Sequence, residues 1–98
     1  MQHNIYKIKA FRLAGKYSIK IIFDDDTQKT IDFSPVLNGE MYSRLRDPDY
    51  FKKVFLDKEV YTIAWPNGAD FDPSTLYNWD KLIDELSARA KNWQIQQA

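Results

Sequence analysis

The chain has 98 residues, 44% apolar and 15% aromatic, which is the composition of one folded domain rather than a disordered segment. Lys plus Arg total 14 and Asp plus Glu total 14, so there is no overall basic excess to mark a nucleic-acid footprint. There is no Cys, which excludes disulfides and thiolate chemistry, and the single His, His3, excludes a multi-His metal site within one chain. A Ser-His-Asp triad would have to use His3 itself. No apolar run approaches the roughly 20 residues a membrane helix needs. Lys7, Lys9 and Arg12 interrupt any leader-like stretch near the start. The expectation is a cytoplasmic protein without a membrane segment.

Residues Ile5 to Leu13 alternate with period 2, but apolar side chains fall on both parities, so both faces of this strand look partly covered. Ala14-Gly15-Lys16 breaks it, and Gly15 could supply the positive φ of a tight turn. The next strand is clearer. Tyr17, Ile19, Ile21 and Phe23 face one way, while Ser18, Lys20 and Ile22 face the other. Asp24-Asp25-Asp26-Thr27 turns the chain, because an Asp carboxylate bonds nearby backbone N–H groups. Lys29, Ile31 and Phe33 continue at period 2, giving a three-strand meander. Pro35 ends it, since proline has no N–H for a ladder.

Met41 and Leu45 stand four apart, as on one face of a short helix. Asp47-Pro48 then reads as an N-cap with proline at the first helical position, opening a turn through Tyr50 and Phe51. Val54 to Leu56 reads as a short strand and Lys58-Glu59 as its turn. Val60 to Trp65 reads as a further strand, with Tyr61, Ile63 and Trp65 on one face. Pro66-Asn67-Gly68 stops it. A second pair, Asp72-Pro73, opens a turn through Leu76 and Tyr77. From there Trp79, Leu82, Ile83, Leu86, Ala90 and Trp93 form a stripe about 100° wide on one amphipathic helix.

The expected architecture is a single α+β domain over 1–98. One antiparallel sheet of about five strands packs on a C-terminal helix, 79–93, and the short Asp-Pro turns. The expected core is Tyr17, Ile19, Ile21, Phe23, Ile31, Phe33, Ile63, Leu82, Ile83 and Leu86.

Few residues point to chemistry. Trp65 and Asn67 could form a recognition loop, but a core Trp beside a turn explains the same letters. Asp24-Asp25-Asp26 could hold a cation, yet it has neither the spacing nor the terminal Glu of a calcium loop. Asp70 and Asp72 could act as paired carboxylates, although Asp72 already has a helix to cap. Lys7, Lys9, Arg12, Lys20 and Lys29 could gather as a phosphate-binding patch, or simply solvate the sheet. Trp93 either folds back onto Phe11 or Leu13, or stays at the rim as an interface anchor.

The motifs together resemble the bacterial family called domain of unknown function 2442. The residues that carry the resemblance are Tyr17-x-Ile19-x-Ile21-x-Phe23-x-Asp25, Asp32 to Leu37, and Leu45-x-Asp47-Pro48-x-x-Phe51-x-x-Val54. Most specific is Trp65-Pro66-Asn67-Gly68-Ala69-Asp70-Phe71-Asp72-Pro73 with Leu76-Tyr77. The family-like part runs over 5–77. The resemblance implies a compact α+β domain and a bacterial source, and it supplies no catalytic residue. It also implies a regulatory setting, since some relatives carry a helix-turn-helix and others are paired with a second small protein in a toxin–antitoxin-like arrangement. A single helix after Tyr77 leaves no room for a helix-turn-helix, so direct nucleic-acid binding is not expected.

The leading expectation is a non-enzymatic interaction module, antitoxin-like or regulatory, bound to a protein partner or to a second copy of itself. Its contact residues would be Trp65, Asn67, Asp70 and Trp93. No catalytic residue, metal or cofactor is expected. The alternatives are a weak nucleic-acid binder using the meander lysines, and an enzyme using Asp70 or Asp72.

Overall fold

The computed structural model describes residues 6–83. Three strands, β1 (Ile8–Leu13), β2 (Ser18–Phe23) and β3 (Gln28–Asp32), form an antiparallel sheet in the order β1-β2-β3. β2 obeys its alternation: Ile19, Ile21 and Phe23 are buried, while Ser18, Lys20 and Ile22 are only partly covered. Ile31 lies opposite Ile19 and is buried with it.

The mixed parity of β1 has a local cause. Ile8 pairs with Phe23 and Ala10 with Ile22, so two residues of β1 oppose one of β2. This is a bulge. It moves the inward set from Ile8 to Phe11, which then lies opposite Ile21. Apolar residues of both parities thereby reach one face. The strand starts at Ile8 rather than Ile5. Gly15 does not carry the first turn by a left-handed φ; the left-handed residue of the meander is Asp26, φ 70°, in the second turn.

After β3 the chain runs through a 3-10 turn (Ser34–Val36), α1 (Gly39–Tyr42), a second 3-10 turn (Ser43–Arg46) and α2 (Pro48–Phe51). Met41 and Leu45 do not share a buried face. The helix tightens to 3-10 at Ser43, leaving Met41 45% exposed and Leu45 fully buried. The Asp-Pro turns form as their chemistry dictates. Asp47 accepts from Asp49 N at 3.0 Å and opens α2. Asp72 accepts from Ser74 N at 2.9 Å and opens α3 (Pro73–Tyr77). Each such cap is worth about 1 kcal/mol.

The expectation of one five-stranded sheet is corrected. β4 (Phe55–Asp57) and β5 (Thr62–Ala64) form a separate two-stranded sheet. The reason lies at Tyr61, whose φ of 54° takes the chain out of extended geometry. Val60 and Tyr61 therefore leave the strand as exposed residues, and β5 is short, with all three of its residues buried. The backbone bond from Ile8 N to Tyr61 O, 2.9 Å, ties the β4–β5 hairpin to the start of β1.

The core is aromatic at its centre. Phe33 is fully buried, with ring centroids 5.0 Å from Phe71, 5.3 Å from Trp79, 6.1 Å from Phe51 and 6.3 Å from Trp65. Ring pairs at such separations each add about 0.5–1.5 kcal/mol beyond the area they bury. Residues 79–83 are helical; Trp79 is buried, while Leu82 and Ile83 are half-buried. Tyr17 is also half-buried, since its hydroxyl donates to Arg46 O while its ring meets Phe51 edge-on. Leu86 and Trp93 lie outside the described residues.

Candidate interaction surface

The Trp65–Pro73 stretch builds a scaffold. Trp65 is 1% exposed, and its indole N–H donates to Phe51 O at 2.9 Å. It is therefore a core residue and not a surface anchor. Beyond it the chain doubles back: Gly68 N donates to Trp65 O at 2.9 Å and Trp65 N donates to Ala69 O at 2.8 Å. Gly68 holds φ at 90°, a region that a side chain resists. Asn67 accepts from Ala69 N at 3.0 Å and donates to Met41 O at 3.0 Å. Both ends of its amide are thus spent on holding this loop to α1.

Asp70 pairs with Ala64 through the backbone, and its carbonyl accepts from the Tyr42 hydroxyl at 2.8 Å. Its side chain faces solvent. Burial, and after it the Asp70 charge, push the Tyr42 hydroxyl above its ordinary pKa. The Asp72 carboxylate takes both the backbone N–H and the hydroxyl of Ser74. The two carboxylates thus have different surroundings, one solvated and one capping a helix. Trp93 falls outside the described residues.

The three aspartates of the second turn diverge. Asp26 pairs with Lys9. Asp25 accepts from Thr27 N at 2.9 Å and from the Tyr77 hydroxyl at 2.8 Å. Those two bonds, the backbone one first, hold the Asp25 carboxyl below the usual carboxylate range. Tyr77 in turn stacks on Tyr6 at 4.3 Å, so this turn is fastened to α3. Among the described residues no group of three or more His, Asp or Glu side chains is placed to hold a metal ion. Nor is any described helix long and apolar enough to cross a membrane.

The meander cations separate as well. Arg12 and Lys20 are cross-strand partners on the outer face of the sheet. Lys29 turns to the other side and reaches Asp80 at 3.6 Å. Lys7 and Lys9 lie at the far end of the molecule's sheet, beside β4. No single basic face collects all five.

That far end holds what the sequence reading missed. Phe55, Val60 and Tyr61 are 44%, 55% and 43% exposed, and all three belong to the β4–β5 hairpin. Beside them opens a pocket of about 240 Å³ lined by Lys7, Ile8, Lys9, Asp24, Leu56, Lys58 and Tyr61. The Lys7 ammonium lies 4.6 Å from the centre of the Tyr61 ring. The left-handed backbone at Tyr61 places its ring at this surface, and no local sequence signal marks a tyrosine for that conformation.

The fold defines a small α+β domain in which two antiparallel sheets and short capped helices enclose an aromatic core. Residues 8–81 match the family described as a protein of unknown function (DUF2442), and the chain belongs to that family. No curated protein and no solved structure matches the chain.

Proposed function

We propose that this protein is a non-enzymatic interaction module that engages an acidic partner surface through its β4–β5 hairpin. The observation that carries this reading is the cluster of Phe55, Val60 and Tyr61, three large apolar side chains left in solvent on one short hairpin. Contiguous exposed apolar surface rimmed by charge is the usual mark of a protein contact. Lys7 and Lys58 line the pocket beside this cluster, where a negatively charged group of the partner would meet them, with Asp57 and Glu59 of the hairpin as the opposing charges. A regulatory, antitoxin-like pairing in a bacterial cytoplasm is the setting that the family's arrangements imply. The motif loop supports the hairpin from beneath, through the backbone pairing of Ala64 with Asp70.

The test compares three tagged chains in capture from the native cell: wild type, the double variant Phe55→Ser/Val60→Ser, and Met41→Ser as an equally exposed control on another face. A partner should be retained by wild type and by the Met41 variant and lost from the hairpin double variant, whose fold is checked by circular dichroism. Each hairpin substitution should weaken the complex about tenfold, as for an ordinary anchor residue. The same retained proteins in all three samples would refute the reading.

A further inference from the structure

The pocket beside the hairpin has chemistry of its own. At about 240 Å³ it is smaller than the roughly 300–1,000 Å³ of sites for drug-sized ligands and cofactors. It is sized for one side-chain-like group. Its walls are apolar: Ile8, Leu56 and the Tyr61 ring. Its charged lining is Lys7, Lys9 and Lys58 against Asp24 alone. Lys9 is already paired with Asp26. That leaves Lys7 and Lys58 as the cations for an incoming group, an excess of positive charge over the one carboxylate. Lys7 sits over the Tyr61 ring, which keeps its ammonium beside the apolar wall.

Tyr61 is held in the left-handed region, φ 54°, and its carbonyl is fixed by the bond from Ile8 N. Such a backbone costs energy and persists where the surrounding structure enforces it, commonly at ligand sites. Here it places a ring between the pocket and the exposed hairpin. We propose that this pocket recognises an apolar group of side-chain size that carries a carboxylate, with the body against Ile8, Leu56 and Tyr61 and the carboxylate at Lys7 and Lys58. This rests on the reading of the hairpin as the contact surface and names the chemistry that the surface selects.

The experiment is an amide-shift titration by NMR of the whole chain with three probes: 4-methylpentanoate, its neutral amide, and the peptide acetyl-Asp-Asp-Leu with a free C-terminal carboxylate. The two carboxylates should give saturable shifts at Ile8, Leu56 and Tyr61, with Kd values of about 1 mM, as expected for ligands this small. The amide should bind about tenfold more weakly, and so should the carboxylates to Lys7→Gln/Lys58→Gln, because each change removes the charge-assisted bond. A tighter peptide assigns the site to a partner's chain end, and a tighter free acid assigns it to a small metabolite; either upholds the chemistry. Equal binding of amide and acid, unchanged binding by the lysine variant, or shifts only elsewhere would overturn it. Failure here, with the partner still lost from the Phe55/Val60 variant, removes the pocket's role and leaves the interaction module standing.

Discussion

Replacing Trp65 by Phe separates a structural role for the family's most specific motif from a recognition role. Trp65 is 1% exposed, and its indole donates to Phe51 O. That carbonyl also accepts from Val54 N at 3.3 Å, so losing the indole leaves it weakened rather than orphaned. A lost hydrogen bond of this kind costs about 1 kcal/mol. Shrinking the ring system empties about 40 Å³, which at about 24 cal/mol per Å³ adds about 1 kcal/mol. The lost transfer energy and ring contacts with Phe33, Phe51 and Phe71 bring the sum to about 3 kcal/mol. For a chain near 100 residues this lowers Tm by roughly 12–24 °C. The assay is urea and thermal unfolding followed by far-ultraviolet circular dichroism, with each protein fitted to its own folded and unfolded baselines. A loss below about 0.5 kcal/mol is what a surface position gives, and it would refute the burial argument.

Two further outcomes follow from local geometry. The Asp25 carboxyl is held below its ordinary value of 3.8, so its charged form belongs to the folded state and its contribution is complete above that pH. The contribution is lost as pH falls below 3.8 through the lowered folded value, and Asp25→Asn should flatten that part of the acid limb in a series of urea midpoints; identical limbs in the two proteins would contradict the Tyr77 and Thr27 bonds. Gly68→Ala should cost about 1–2 kcal/mol by urea unfolding, because φ is 90° while nothing stands within 4 Å of an added Cβ, so the cost is backbone strain alone; a neutral substitution would show that the turn relaxes.

Local chemistry was legible in the sequence. Asp47 and Asp72 cap where an Asp-Pro pair says they will, because capping needs only a carboxylate and the next two residues. The alternation of β2 was equally plain, since one face meets the core along its whole length. The strand before it was obscured by the bulge after Ile8, which shifts parity within a single strand. Val60 to Trp65 read as one long strand because its letters alternate, yet Tyr61 turns left-handed and cuts the strand short. That torsion shortens the strand and sets the Tyr61 ring at the candidate surface, and no letter announces it. The link from Asp25 to Tyr77 was invisible for another reason: it joins residues far apart in the chain, and neither carries a local mark of its partner. At the motif loop, Trp65 was open to two readings, and burial selects the core; Asp70 keeps a solvated side chain.

The connectivity of the core carries an expectation about the order of folding. The meander joins neighbours through short turns, so β1, β2 and β3 can pair at little loop-closure cost. The ring cluster is different, since Phe33, Phe51, Trp65, Phe71 and Trp79 arrive from separate stretches of the chain and none can be covered until the others are in place. On loop-closure cost alone the meander is expected to form first and the ring cluster to close late. Tryptophan emission, with Trp65 and Trp79 both buried in this cluster, is then expected to change at that late step, and a chain halted before it would present its aromatic residues to water together, where they would invite association with other unfinished chains.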